Sequence, residues 1–157
     1  HGLSLCGAHA MDIMRMESGF LHWGHDISPE ENQYQAGLKF AISYKKNINF
    51  VGKEALLKIK DQNPTKSLAM MVLKDNRPGE PLLLHEEPIY LDDKIIGRTT
   101  SGNYSFNFKK NISFGYVNSG NTIENLVNKN LSIEVEKKKY PVTIIKKPLN
   151  QKNIKDI

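Results

Sequence analysis

The segment His22-Trp23-Gly24-His25-Asp26 contains the residue types that most resemble metal ligands, namely two imidazoles and a carboxylate. Two histidines three positions apart can face one metal ion when they lie on a helix. Glycines in and just before this segment, including Gly19, argue against a continuous helix. His9 and His85 stand alone in the sequence. We therefore predict no metal site and expect this loop to pack through hydrogen bonds against another part of a larger protein.

The other reactive residue types do not form a recognisable catalytic motif. Cys6 lies in an apolar segment, where a thiol usually behaves as a small inert side chain. The dipeptide Ser101-Gly102 is predicted to be a turn and not a phosphate-binding loop. Arg15 and Glu17 either contact a ligand or form ion pairs on a helix surface, and Asp12 has the right spacing to pair with Arg15. We assign no catalytic residue to this chain.

The first 63 residues are predicted to form a helix, a strand and a second helix. Ser4–Ser18 is rich in helix formers and ends at a glycine, and its apolar residues cover so much of the surface that we expect a mostly buried helix. Ser28–Glu31 has the form of a capping box followed by a short helical turn. Leu38–Ile42 alternates as a strand does, and Lys53–Gln62 has helical spacing.

The rest of the chain is predicted to consist of strands, with a domain boundary near Asn63-Pro64. Asp92-Asp93 and Lys137–Lys139 are predicted hairpin links, and Thr122–Val127 is a possible short helix. The predicted strands are Ser67–Leu73, Pro81–Leu84, Pro88–Leu91, Lys94–Thr100, Ser113–Val117, Leu131–Glu136 and Tyr140–Ile145. Short strands at regular spacing indicate a small antiparallel barrel or sandwich, hence an α+β fold with domains at 1–63 and 64–157.

Composition restricts the function classes further. The longest uncharged apolar stretch, Leu68–Leu73, is far shorter than the roughly 20 residues a membrane span needs, and a single cysteine fits a reducing compartment. We expect the cytoplasm, or the mitochondrial matrix if the source is eukaryotic. The net charge of +5 raises the question of a polyanion partner, but the lysines of Lys137–Lys139 and Lys146-Lys147 are best interpreted as solvated.

Five short motifs occur in an order that resembles the glycine cleavage T-protein (aminomethyltransferase) family. They are Ala10–Gly19, His22–Asp26, Phe50–Leu56, Gly97–Gly102 and Ser113–Val117, and the final strand that ends at Lys146–Leu149 fits the last strand of that family. The resemblance runs over nearly the whole chain and implies a remnant of the folate-binding domain, followed by the C-terminal barrel of that family.

Within the family, the His-Trp-Gly-His-Asp stretch is most similar to the folate domain of dimethylglycine and sarcosine dehydrogenases. Glycine cleavage enzymes have a folate-contacting arginine where this chain has Met11. Met11 can pack against a ring but cannot pair with a carboxylate. The resemblance makes Met11, Phe40 and Arg15 the candidates for the folate pocket, with core packing as the competing interpretation of Phe40. The family's catalytic aspartate and a folate-binding glutamate lie upstream of the matched stretch.

The resemblance implies a C-terminal fragment of an enzyme that passes a one-carbon unit from an N-methyl amine to tetrahydrofolate. FAD is expected only if an upstream part of the polypeptide contains a flavin domain. The chain begins with His, not Met, and with an apolar helix, so we expect a piece of a longer protein that is inactive alone. Its expected partners are the upstream part, folate and other copies bound through exposed apolar surface. The alternative is a separate basic barrel that binds RNA or another polyanion.

Overall fold

Six antiparallel strands form a closed barrel in the computed structural model, which describes residues 2–46, 48–74, 77–118, 120, 122–146 and 148. Their order around the barrel is β1-β4-β3-β2-β5-β6, and pairing of β6 with β1 closes it. The strands are β1 (Lys66–Leu73), β2 (Pro88–Leu91), β3 (Lys94–Ser105), β4 (Lys110–Asn118), β5 (Leu131–Val135) and β6 (Lys138–Ile145). The predicted α+β fold class with a small antiparallel barrel is confirmed.

The barrel interior is filled by apolar side chains from every strand. In β5, Leu131 and Ile133 point inward and are fully buried, as the alternation of the sequence predicts. They pack with Ile89 of β2, Val142 of β6 and Leu126, which belongs to the short helix α3 (Ile123–Leu126). Thr122 caps α3 by accepting from the backbone N–H of Asn125. Because the strands close on one another, this part of the chain has its own hydrophobic core.

Three details of the predicted barrel are wrong. Pro81–Leu84 forms no strand. Instead, the buried side chain of Leu83 packs so closely against Gly102 that a Cβ atom at position 102 would lie 2.4 Å from it. Ser101-Gly102 lies within the long strand β3 and not in a turn. The β5–β6 turn is formed by Glu136 and Lys137, both at positive φ, so Lys138 and Lys139 already belong to β6.

The first helix is shorter and more exposed than predicted. α1 spans Ala8–Glu17 and starts after Gly7, so Ser4 does not cap it. Only Ile13 and Met16 are buried, and they pack on the outside of β1 and β4. Met11 and Met14 remain 63% and 62% exposed. The expectation of a mostly buried helix therefore fails within this chain, because the barrel covers only one face of α1.

The segment between α1 and the second helix is largely irregular. The predicted strand Leu38–Ile42 is wrong, since Lys39–Ala41 forms a 3₁₀ turn. Glu31 accepts from the backbone N–H of Ser28, as in a capping box, but the following residues form turns and no helix. The helix α2 (Lys53–Ile59) confirms the second predicted helix, which ends earlier than predicted.

The start of β1 falls two residues beyond the predicted boundary at Asn63-Pro64, and the division into two domains stays a prediction. Among the residues described, no helix is long and apolar enough to cross a membrane. The predicted end of the last strand partly lies outside the described residues, because Lys147 and Leu149 are not among them.

Candidate functional site

A cleft of about 540 Å³ lies between α1 and the middle of β3. Its lining is mainly apolar, with imidazoles and hydroxyl groups among the apolar side chains. The lining residues are Ala8, His9, Met11, Asp12, Arg15, Leu21, His22, His25, Leu84, His85, Thr100, Ser101 and Gly102. Three separate parts of the chain meet here: α1 with its following loop, the segment before β2, and β3. The cleft is large enough for a small organic ligand.

Arg15 fastens α1 to the barrel at the base of this cleft. Its Nε lies 2.8 Å from Oδ1 of Asp12, and a second ion pair joins its guanidinium to Asp26. Its NH2 group also donates to the hydroxyl of Ser101 in β3 at 2.8 Å. The guanidinium lies 5.6 Å from the ring centre of Phe114. Arg15 is thus held on several sides, which fixes the position of α1 relative to β3.

Asp26 is the buried partner in this network, with no exposed side-chain surface. Its carboxylate accepts from the hydroxyls of Thr100 at 2.6 Å and Ser101 at 2.8 Å, and from the backbone N–H of His22 at 2.9 Å. A buried carboxylate is tolerated only with such partners, and removal of one charge leaves the other uncompensated. Asp26 is therefore a structural anchor that ties the His22–Asp26 loop to β3 and to Arg15.

A second ion pair supports the same loop from the other side. Glu31 pairs with Lys66 of β1 and accepts from the hydroxyl of Ser28 at 2.7 Å. Burial would raise the pKa of Glu31, but the hydrogen bonds from Lys66 and Ser28 outweigh it and lower that pKa. Burial raises the pKa of Tyr116, so its phenol stays protonated and donates to the backbone carbonyl of Asp26 at 2.9 Å.

Four histidines converge on the cleft, contrary to the expectation that His9 and His85 stand alone. The ring centres of His22 and His25 are 4.6 Å apart, and those of His25 and His85 are 6.4 Å apart. Sequence reasoning missed this cluster, since His85 lies 60 positions from His25 and no local pattern connects them. Within the described ranges, no group of three or more His, Cys, Asp or Glu side chains could hold a metal ion.

The three folate-pocket candidates do not share one cleft. Met11 and Arg15 line the cleft between α1 and β3, whereas Phe40 borders a second, apolar cleft of about 780 Å³. Phe40 is 85% exposed, so it is not part of this chain's core. Glu17, the other acidic residue of interest, accepts from Asn107 at 2.9 Å and from the hydroxyl of Ser105. It therefore ties the end of α1 to the β3–β4 connection.

The lysines of β6 are engaged in local contacts. Lys139 pairs with Asp93 at 3.1 Å and lies 4.0 Å from the ring centre of Tyr90. Lys138 lies 5.0 Å from the ring centre of Tyr140. These contacts account for two of the three lysines in this run without a bound polyanion.

The lining of the cleft combines apolar and polar groups that suit the binding of a small ligand. Cys6 is exposed and does not line it. An apolar ligand surface can rest against Met11, Leu21 and Leu84, and polar groups of a ligand can reach the imidazoles. Arg15 forms ion pairs with Asp12 and Asp26, so its guanidinium stabilises the shape of the cleft.

The comparisons with known proteins place the chain in one family. Residues 66–150 match the family model described as the glycine cleavage T-protein C-terminal barrel domain, and residues 1–46 match the GCVT N-terminal domain. A glycine cleavage system aminomethyltransferase T from Bartonella henselae has a similar structure, with a TM-score of 0.75 over 88% of this chain and 37% of that chain. Its sequence identity is 22%, so this likeness shows the fold.

Three relatives with similar sequences are different enzymes. The 4-methylaminobutanoate oxidase (formaldehyde-forming) of Paenarthrobacter nicotinovorans is 44% identical over 103 residues, which is 66% of this chain and 12% of the relative. An aminomethyltransferase of Symbiobacterium thermophilum is 37% identical over 116 residues, or 74% of this chain and 30% of the relative. The mitochondrial dimethylglycine dehydrogenase of Homo sapiens is 32% identical over 150 residues, which is 94% of this chain and 16% of the relative.

This chain therefore spans less than a third of the length of each of these relatives. The match to the barrel domain covers more than half of the chain, and its closed six-stranded barrel agrees with that assignment. The chain belongs to the glycine cleavage T-protein family.

Proposed function

We propose that this chain acts as the C-terminal part of a folate-dependent enzyme that transfers one carbon from an N-methyl amine to tetrahydrofolate. The observation that carries the proposal is the cleft between α1 and β3, because the exposed side chain of Met11 lies in its lining together with Leu21 and Leu84. Two of the relatives are named for N-methylated amino acids, 4-methylaminobutanoate and dimethylglycine. This supports the dehydrogenase branch over glycine cleavage as the natural activity.

The lining of the cleft fits part of a folate molecule. Met11, Leu21 and Leu84 offer apolar surface to a flat ring, and a methionine side chain adapts well to such a surface. Tetrahydrofolate supplies the nitrogen atoms that accept the one-carbon unit. The role of this chain is to position one side of the ligand: Met11 packs against it, and Arg15 holds α1 in place through Asp26. Catalytic groups and any FAD belong to an upstream part of the polypeptide.

The exposed apolar side chains support the need for that upstream part. Met11, Met14, Phe20, Trp23 and Phe40 are all at least 62% exposed, and they lie on α1 and the segments that follow it. Their number on one region of the chain exceeds what scattered surface residues explain. An upstream domain that covers them would also close the cleft and exclude water from it. The cytoplasm or a mitochondrial matrix stays the predicted compartment.

Two methionines on α1 give a matched test of the cleft. Met11 lines it and Met14 does not, although the two side chains are almost equally exposed. In the natural polypeptide that contains this sequence, Met11→Gln should weaken tetrahydrofolate binding by about tenfold, as expected for loss of an apolar contact. Met14→Gln should leave that affinity unchanged. Isothermal titration calorimetry measures both, and equal affinities for the two variants would contradict the assignment.

Thermal denaturation with and without tetrahydrofolate tests whether the site is complete in the 157-residue chain. We expect no change in the melting temperature of this short chain and a clear increase for the natural polypeptide. An equal increase in both would show that the pocket lies wholly within this chain. Binding of RNA that weakens steeply as salt rises, with no folate binding by either form, would favour the alternative of a polyanion-binding barrel.

A further inference from the structure

The segment before β2 supplies a part of the cleft wall that the proposed function does not yet explain. We call residues 83–87 the wall segment. Leu84 and His85 of this segment line the cleft, and Met11 lines it from α1. Leu84 is 48% exposed, so its side chain is available to a ligand. The position of the wall segment therefore determines how much room a ligand has between it and α1.

The first residue of the wall segment lies directly on β3. Leu83 is 1% exposed, and a Cβ atom at position 102 would lie 2.4 Å from its Cβ and 3.0 Å from its carbonyl carbon. Because the backbone of Leu83 comes this close, the position opposite it has room only for glycine. This close packing fixes one end of the wall segment against Gly102, which itself lines the cleft.

The other end of the wall segment is hydrogen-bonded to Thr99 of β3. The backbone N–H of Glu86 donates to the carbonyl oxygen of Thr99 at 2.9 Å, and the N–H of Thr99 donates to the carbonyl oxygen of Glu87 at 2.9 Å. The hydroxyl of Thr99 accepts from the backbone N–H of Glu87 at 3.0 Å and donates to its carboxylate. Thr99 is fully buried, so these bonds join the segment to a fixed point of the barrel.

The carboxylate of Glu87 connects the two ends of the wall segment. Its Oε2 accepts from the hydroxyl of Thr99, and its Oε1 accepts from the backbone N–H of Leu84 at 2.8 Å. Glu87 thereby closes a short loop that contains Glu86, whose φ of 65° lies in the left-handed region that residues other than glycine rarely adopt. A loop with such a residue keeps its shape only when surrounding contacts hold it, and the carboxylate provides two of them.

We propose that Glu87 is a positioning residue of the cleft, whose carboxylate holds Leu84 at a fixed distance from α1 and so selects ligands by the thickness of their ring. This inference rests on the proposed function, because tetrahydrofolate is the ligand expected in the cleft. Glu87 does not line the cleft and acts through Leu84. The reduced ring of tetrahydrofolate is puckered and thicker than the planar ring of folic acid. A wall at a fixed distance distinguishes the two rings, because small gaps forfeit packing contacts.

The test measures the affinities of the natural polypeptide for tetrahydrofolate and for folic acid by isothermal titration calorimetry. Glu87→Ala removes both side-chain hydrogen bonds and releases the wall segment. The affinity for tetrahydrofolate should fall by about tenfold, because the ligand must then order the segment when it binds. The preference for tetrahydrofolate over folic acid should shrink from about tenfold to about twofold, because a released wall adapts to either ring.

Conservative variants of the same two residues should restore the preference. Glu87→Gln keeps an acceptor for the N–H of Leu84 and an amide that can donate to the hydroxyl of Thr99, so both affinities should stay within about threefold of the wild type. Thr99→Ser keeps the hydroxyl and should behave in the same way. Thr99→Val keeps the volume but removes the hydroxyl, and it should reduce the preference as Glu87→Ala does.

Ile133→Val is the control for a purely structural effect. It shortens a fully buried side chain of the barrel core, which lowers stability, and Ile133 does not line the cleft. Partial unfolding weakens the apparent binding of both ligands by the same factor, so it leaves the ratio of the two affinities unchanged. Ile133→Val should therefore keep the wild-type preference for tetrahydrofolate.

The outcomes separate this inference from the function it rests on. If the wild type binds tetrahydrofolate and its preference is unchanged in Glu87→Ala and Thr99→Val, the positioning role is wrong while the proposed function stands. A loss of preference in Ile133→Val as large as in Glu87→Ala would also overturn that role. If the wild-type polypeptide binds neither ligand, both are wrong. Amide hydrogen exchange gives a check without ligand: the N–H of Leu84 should exchange faster in Glu87→Ala than in Glu87→Gln, and equal rates would contradict the inference.

Discussion

The barrel and the region of α1 differ in how they bury their apolar side chains. In the barrel, inward residues such as Ile89 and Ile133 are fully buried by neighbouring strands of the same chain. On α1, two of the four long apolar side chains, Met11 and Met14, face outward although their residue types favour burial. The barrel therefore has a core made by its own strands, whereas α1 is held to the barrel by two buried side chains and by the Arg15–Asp26 pair.

The largest expected effect on stability concerns the Arg15–Asp26 ion pair, which connects α1 to the loop that packs on the barrel. Asp26→Ala should lower the free energy of unfolding by about 3 to 5 kcal/mol, because it leaves Arg15 charged and poorly compensated in a mostly buried position. Asp12→Ala removes the more exposed partner of the same arginine and should lower it by about 1 kcal/mol or less. Urea denaturation of both variants is the measurement, and equal losses would show that Asp26 does not anchor α1.

The next largest effect on stability concerns a side chain in the core of the barrel. Ile133→Ala deletes a fully buried side chain of β5 and should lower the free energy of unfolding by about 2 to 5 kcal/mol. The loss should be of the same size in the short chain and in the natural polypeptide, because Ile133 belongs to the core cluster formed by the barrel strands with Leu83 and Leu126. A much smaller loss in the short chain would mean that its barrel is not packed as described.

A smaller effect on stability should depend on pH and concerns Glu31. The pKa of Glu31 is lowered in the folded chain, so its contribution to stability is complete above its unfolded pKa, near the ordinary value of 4.5. That contribution is lost as the pH falls below this value through the folded pKa. Glu31→Gln should cost about 1 kcal/mol or less at pH 7, and this difference from the wild type should shrink by pH 3. Urea denaturation across this range checks it; a constant difference would contradict it.

The smallest effect on stability, and an informative one, concerns exposed apolar residues. Phe40→Ser should change the stability of the short chain by no more than about 0.5 kcal/mol, since the side chain is 85% exposed. It should nevertheless reduce self-association, which sedimentation velocity measures. Phe106→Ser, an exposed aromatic residue in the β3–β4 connection, is the control and should not change association. If both variants behave alike, the α1 region is not the self-associating surface.

The sequence was most informative where a pattern is local. Strand β5 and the Asp92-Asp93 turn follow from alternation and turn residues within a few positions. The prediction failed at Ser101-Gly102, because the glycine in β3 makes room for Leu83 and does not mark a turn. It also failed at Leu38–Ile42, whose alternating pattern finds no strand to pair with among the described residues.

The site was predictable only in part for the same reason. The resemblance to a family pointed to Met11 and Arg15, and both line one cleft. The burial of Asp26 depends on Thr100 and Ser101, more than 70 positions away, and no local pattern connects these residues. The convergence of His85 on His25 likewise depends on the path of the chain before β2. Contacts of this kind follow from the closed barrel and its register, which the sequence pattern alone does not specify.

Amide hydrogen exchange of α1, followed by mass spectrometry in the short chain and in the natural polypeptide, tests the central claim most directly. We expect residues Ala8–Glu17 to exchange quickly in the short chain and at least about a hundredfold more slowly in the natural polypeptide, while β5 exchanges at similar rates in both. Equal exchange of α1 in the two forms would show that nothing covers its apolar face, and would contradict the account.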